Sequence, residues 1–104
     1  MVARREKGFT SDLADGVELH CRYEIEHKVV SYANTLVIEV DGRKFTTDLF
    51  DCTHGDRNDH HRYGLDGAKQ PAVVFHHGTP NEACDTSLRL IKRDFRRMIE
   101  RWRT

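Results

Sequence analysis

A chain of 104 residues with 38% hydrophobic and 33% charged residues, two prolines and no low-complexity tract has the composition of one folded domain. Its longest apolar stretches, Leu36-Val37-Ile38 and Ala72-Val73-Val74-Phe75, fall far short of the ~20 residues of a membrane-spanning helix, and the basic start Met1 to Lys7 lacks the apolar run of a secretory signal. The net charge of zero hides an asymmetry: Arg89 to Thr104 carries seven cations against Asp94 and Glu100, and the remainder of the chain carries the matching negative excess. Such a split points to an anionic partner for one face, or to a basic helix complementing acidic strands within the fold or a dimer.

In chain order, residues 1–15 read as an N-terminal arm in which Phe9 to Ala14 forms a helical turn capped by Thr10 or Ser11, ending at an Asp15-Gly16 turn. From Val17 the pattern alternates, with Val17, Leu19, Cys21, Tyr23 and Ile25 on one side and Glu18, His20, Arg22, Glu24 and Glu26 on the other, which is a half-buried strand. His27-Lys28 breaks the phase, so a tight connection belongs there. Val29 to Val40 is apolar at Tyr32, Leu36, Ile38 and Val40, with Val29, Ala33 and Val37 on the other face, as in a central strand. Asp41-Gly42 supplies the positive φ angles of a type I′ hairpin turn.

The returning strand runs from Arg43 to about Cys52, with Phe45, Thr47 and Leu49 alternating against Lys44, Thr46 and Asp48. A loop at Thr53 to Asn58, a short strand at Asp59 to Tyr63, a polar loop from Gly64, and a fifth strand at Ala72 to His77 complete an antiparallel meander, because every connection is too short for a parallel crossover. Thr79-Pro80-Asn81-Glu82 is a capping box with proline at the first helical position. The helix that follows has its stripe at Cys84, Leu88, Ile91, Phe95, Met98 and Trp102, widened by Ile99; it either covers the sheet or forms a dimer seam. The expected architecture is one α+β domain over residues 1–104: an arm (1–15), a sheet of about five antiparallel strands (16–78) and a long C-terminal amphipathic helix (79–103).

Cys21, Cys52 and Cys84 are odd in number and without a C-x-x-C pair, which fits small buried apolar groups in a reducing, cytoplasmic setting. The unusual feature is histidine. Five of seven fall between residues 54 and 77: His54, His60, His61, His76 and His77. Cleavage of an RNA phosphodiester without a metal needs a base for the 2′-hydroxyl, an acid for the leaving oxygen and a cation beside the phosphorane. Histidine suits the proton roles and arginine the phosphate. A hairpin between His60-His61-Arg62-Tyr63 and His76-His77 would bring such groups together, with His60 and Arg62 on one face and His61 and Tyr63 on the other. Two other readings stand beside this one. The histidines are edge residues bonded to neighbours, with Arg62 paired to Asp51, Asp56 or Asp59. Or Cys52, His54 and one or two of His60, His61, His76 and His77 hold a transition metal, although neither C-x-H nor H-H is a regular zinc spacing.

The order of a strand, Asp51-Cys52-Thr53-His54, His60-His61-Arg62-Tyr63, Asp66-Gly67 and a final amphipathic helix resembles the TumE-like toxins of bacterial toxin–antitoxin pairs, over roughly residues 17 to 103 and in pattern more than in identities. That resemblance implies a small α+β protein that acts on RNA and is held inactive by a cognate antitoxin protein. It touches Asp51, His54, His60, His61, Arg62 and Tyr63, while His76 and His77 have no counterpart in it.

The resulting expectation is a ribonuclease-like toxin without cofactor or metal. Its proton-transfer candidates are His60, His61, His76 and His54, with Arg62 as phosphate clamp and Tyr63 as orienting or stacking group. Arg93, Arg96, Arg97 and Arg101 on the helix are candidate RNA contacts, against the alternative of a solvated basic face. The competing expectations are a non-catalytic interaction module, homodimeric or an accessory protein of a phage or mobile element, and a metal-binding domain.

Overall fold

A computed structural model of the chain describes residues 3–54 and 57–104, with the side chains of Thr53 and His54 outside that description. Six strands, β1 (Arg5–Ala14), β2 (Val17–Glu26), β3 (Lys28–Val40), β4 (Arg43–His54), β5 (Arg57–Arg62) and β6 (Val73–His76), precede one helix, α1 (Pro80–Arg103). They form a single antiparallel meander in chain order, from β1 to β6. The α+β expectation of a meander under a long C-terminal helix is met, with one strand more.

The additional strand is β1, where an arm with a helical turn was expected. Arg5 to Ala14 pairs with β2 across the Asp15-Gly16 turn, Gly16 having φ +71°. Residues Arg5 to Thr10 are all exposed, because β1 is an edge strand held by its main-chain ladder, with little burial to impose a period of two on its sequence. The next two turns follow their chemistry. His27 alone joins β2 to β3 at φ +62°, and Asp41 and Gly42, at φ +53° and +78°, close the β3–β4 hairpin.

The alternation in β2 and β3 buries Leu19, Cys21, Tyr32, Leu36 and Ile38 under α1. In β4 the phase changes. The β3–β4 register slips between Leu36 and Val37, which face Asp48 and Thr46, so Thr47 is the extra residue of a bulge. Phe45 before the bulge meets Trp102 of α1, with ring centroids 5.5 Å apart, while after it Asp48 and Phe50 face α1. The sequence pattern had set Asp48 on the opposite face from Phe45. The bulge overturns that assignment, and six consecutive residues, Thr47 to Cys52, are buried.

Helix α1 begins with the expected reciprocal capping box, Glu82 N–H donating to Thr79 Oγ1 and Thr79 N–H to Glu82 Oε1. It buries Ala83, Cys84, Ser87, Ile91, Phe95, Met98 and Trp102, packing chiefly on β3 and β4. The apolar stripe is therefore the cover of the sheet. Within this interface Asn34 of β3 donates to Ser87 Oγ at 2.7 Å and Tyr32 Oη donates to Asn58 Oδ1 at 2.9 Å, so the buried polar side chains tie separate elements together. All three cysteines are buried. Among the described residues, no helix is long and apolar enough to cross a membrane.

Candidate functional site

Strand β5 carries the histidine pair, and its pleat sends the two rings to opposite faces. His60 turns toward α1. Its Nε2 lies 2.7 Å from Asp48 Oδ2, and its ring stacks on Phe50 with centroids 4.1 Å apart and planes 3° from parallel. Asp48 is fully buried, and the same Oδ2 accepts from Arg101 Nη2 of α1 at 2.6 Å while Oδ1 accepts from Thr47 Oγ1 at 2.8 Å. Burial pushes the Asp48 carboxyl upward, but the bonds from His60 and Thr47 and the charge of Arg101 outweigh it and hold the group below its ordinary value. An ionised carboxylate only accepts, so Nε2 of His60 is the donor and the lone pair of the neutral ring is on Nδ1.

One cavity of about 370 Å³ opens beside this network, lined by Arg62, Tyr63, Gln70, Arg101, Trp102 and Thr104 together with Gly64 and Leu65. Two guanidinium groups, one aromatic phenol and one indole thus share a single recess. Arg62 is two residues beyond His60 on β5 and faces Asp48 in the β4–β5 register. Trp102 is buried, and its indole N–H has no hydrogen-bond partner among the described residues. The recess is held open by the 63–72 loop, in which Tyr63 N–H donates to Thr47 O, Gln70 N–H to Arg62 O and Ala68 N–H to Asp66 Oδ1.

Of the expected site residues, Arg62, Tyr63 and Arg101 converge on the recess, and His60 sits one carboxylate behind Arg101. His61 does not join them. It lies on the other face of the sheet, where its Nδ1 donates to Gln70 O at 3.0 Å and its Nε2 is 3.8 Å from Asp51 Oδ1. His76 ends β6 packed against Gly78, and its field acts on Glu82 in the first turn of α1. Arg101 is nineteen residues further along that helix, or about 28 Å at 1.5 Å per residue. His77 is exposed, and the side chain of His54 lies outside the described residues. The expected hairpin of converging imidazoles is not formed, since adjacent strand residues face apart and β6 meets β5 at Asn58 to His60 and not at His61 to Arg62.

The helix arginines divide as well. Arg93 pairs with Asp94, Arg96 lies 4.5 Å over the ring of Phe95, and Arg97 is exposed, whereas Arg101 is drawn under the helix by Asp48. Arg62 is exposed, and of the aspartates expected to pair with it Asp59 accepts from Arg57 Nε at 2.7 Å, Asp51 faces His61, and Asp56 lies outside the described residues. The metal set expected around Cys52 is also not formed among the described residues, because Cys52 points into the core under α1. The donors that do gather are Asp51, Asp59 and His61.

Sequence reasoning missed Asp48, which organises the site. Its signal was an acidic residue inside an apolar strand, next to a threonine and followed by Leu49-Phe50. No family model matches the chain, and comparison with curated proteins and with solved structures finds no match.

Proposed function

We propose that the chain is a ribonuclease-like protein of the toxin class, acting on RNA at the recess between β5, the 63–72 loop and the C-terminal turns of α1, and controlled by a partner antitoxin. The observation that carries this reading is the meeting of Arg62, Arg101, Tyr63 and Trp102 around one cavity next to the Asp48–His60 pair. A phosphate offers acceptors to the guanidinium donors, and a base stacks on the phenol. His60, with Nε2–H fixed by Asp48, carries the basic lone pair on Nδ1 and is the proton acceptor of the reading. Its role is narrower than the two-histidine scheme, because among the described residues no second imidazole accompanies His60 behind this recess.

Titration of a fluorescent single-stranded RNA tests it. Arg62→Ala is expected to weaken binding at least tenfold and to make the slope of log K against log salt shallower by about 0.7, the loss of one phosphate contact to a single strand. On expression in bacteria, the folded His60→Ala, Arg62→Ala double variant relieves growth inhibition. Unchanged affinity and salt slope in folded Arg62→Ala would sink the reading.

A second reading, a homodimeric interaction module, is favoured by the β1 edge. Phe9 is 45% exposed there, beside a groove of about 530 Å³ lined by Tyr23, Ile25, Val29 and Leu88. Its occupant is a second copy paired edge to edge through β1. Light scattering then gives twice the chain mass, reverting to one chain mass in Lys7→Pro, whereas a monomer at every concentration removes it.

A further inference from the structure

The face of the sheet opposite α1 carries a second group of chemistry-bearing side chains. Asp51 of β4 and Asp59 of β5 are directly opposite each other in the antiparallel register, and both are 4% exposed. His61 follows Asp59 by two residues and so shares its face. One donor atom from each of Asp51, Asp59 and His61 lies within 4.8 Å of the other two. Like charges directly across a strand pair oppose folding, the more so when buried, and a cation between them reverses that sign.

The tautomer of His61 is the independent observation. The Gln70 carbonyl can only accept, so the 3.0 Å contact makes Nδ1 the donor and puts Nε2 on the side of Asp51, 3.8 Å from its Oδ1. In the neutral ring Nε2 carries a lone pair, which is poorly placed against a carboxylate and well placed for a metal ligand. An N–H donated to a backbone carbonyl from the ring nitrogen that does not bind metal is the usual support of a metal-bound histidine, fixing both ring angle and tautomer. Arg57 donates to Asp59 Oδ1 and orients that carboxylate in the same way.

We propose that Asp51, Asp59 and His61 form a binding site for one divalent first-row transition ion, taking two carboxylate oxygens and one imidazole nitrogen and leaving a further position open. A set of one nitrogen and two oxygens suits Zn²⁺ and Mn²⁺ better than Ca²⁺ or Mg²⁺. In a tetrahedral zinc site with bonds of about 2.1 Å the donors are about 3.4 Å apart, so donor atoms within 4.8 Å of one another draw together by at most about 1.4 Å on binding. The site is on the other side of the sheet from the Arg62–Arg101 recess, and its test involves no RNA, so it stands or falls separately from the ribonuclease reading.

The experiment is calorimetric titration of the full chain, freed of metal by chelator, with ZnCl₂ and with MnCl₂. One equivalent is expected to bind. His61→Gln and Asp59→Asn each weaken binding at least tenfold, while the His76→Gln, His77→Gln double variant leaves it unchanged. In the unmutated chain the ¹⁵N resonance of His61 Nε2 moves on saturation with Zn²⁺ while Nδ1 keeps its protonated shift, a readout that does not depend on any variant folding. Absence of stoichiometric binding overturns the proposal. So does undiminished binding in folded His61→Gln, equal loss in the His76→Gln, His77→Gln variant, or an unmoved His61 Nε2 at saturation.

Discussion

Asp48→Ala is expected to lower the melting temperature by more than about 12 °C, since breaking a buried ion pair costs about 3–5 kcal/mol and each kcal/mol is about 4 °C or more in a domain of this size. The cost arises from what is left behind. His60 and Arg101 both donate to Asp48 Oδ2, and without it a guanidinium and an imidazole remain half-buried with no anion between them. Asp48→Asn keeps the shape and an acceptor for Thr47 but loses the charge, so its loss is smaller and falls mainly on the bond to Arg101. Differential scanning calorimetry of the two variants separates these terms.

The same residue sets a pH dependence. The Asp48 carboxyl is held below its ordinary value in the folded chain, so its contribution is complete above the unfolded value of about 3.8 and is lost as the pH falls through the folded one. The melting temperature of the unmutated protein therefore falls on acidification below about pH 4, and that of Asp48→Asn falls less. Glu18, Glu82 and Asp94 are also held low, by Lys44, Thr79 and Arg93 respectively, but on the surface, where solvent screens them. They leave a residual acid limb in the variant. Equal acid limbs in both proteins would remove Asp48 from this role.

Phe50→Ala is expected to cost about 3–5 kcal/mol, the range for deleting a buried aromatic ring. Phe50 is 1% exposed and forms the floor under His60, stacked at 4.1 Å, while meeting Phe75 edge-on at 5.0 Å. Its loss leaves a cavity in the core and removes the plane that holds the imidazole against Asp48. A urea midpoint gives the first effect. The second appears in the proton spectrum of the folded fraction, where the His60 ring signals lose the upfield displacement caused by the phenyl face. Phe50→Leu fills part of the cavity and loses less stability, but it abolishes the ring-current shift equally. An unchanged His60 signal in either variant would contradict the stacked arrangement.

Much of this fold could be read before its coordinates. The alternation in Val17 to Ile25, the Asp41-Gly42 turn and the Thr79-Pro80-Asn81-Glu82 cap are local signals, and each produced the local structure its chemistry demands. Strand β1 escaped because an exposed edge has no burial pattern to display. Asp48 escaped because a bulge at Thr47 reverses which residues of β4 look at the helix, and a phase reversal in one strand is invisible until its partner is known. The two candidate sites escaped for a related reason. Arg62 and Arg101 are brought together only by the packing of α1, and Asp51 meets Asp59 only through the β4–β5 register. The histidine cluster was plain in the sequence, but a strand separates neighbours. His60 and His61 therefore serve two different faces and donate through opposite ring nitrogens.

The position of the helix after all six strands bears on how the protein is made. A meander pairs each strand with the one just synthesised, so the sheet can assemble progressively from Arg5 onward with short loops to close. Its apolar face has no lid until Pro80 to Arg103 has been translated. For that interval Leu19, Leu36, Ile38 and Phe50 are presented to solvent on a ladder with an open edge at β1, the form most prone to joining another nascent chain. Chains terminated before Trp102 keep every strand and lose the residues that close the cover, Trp102 against Phe45 being the last aromatic contact made.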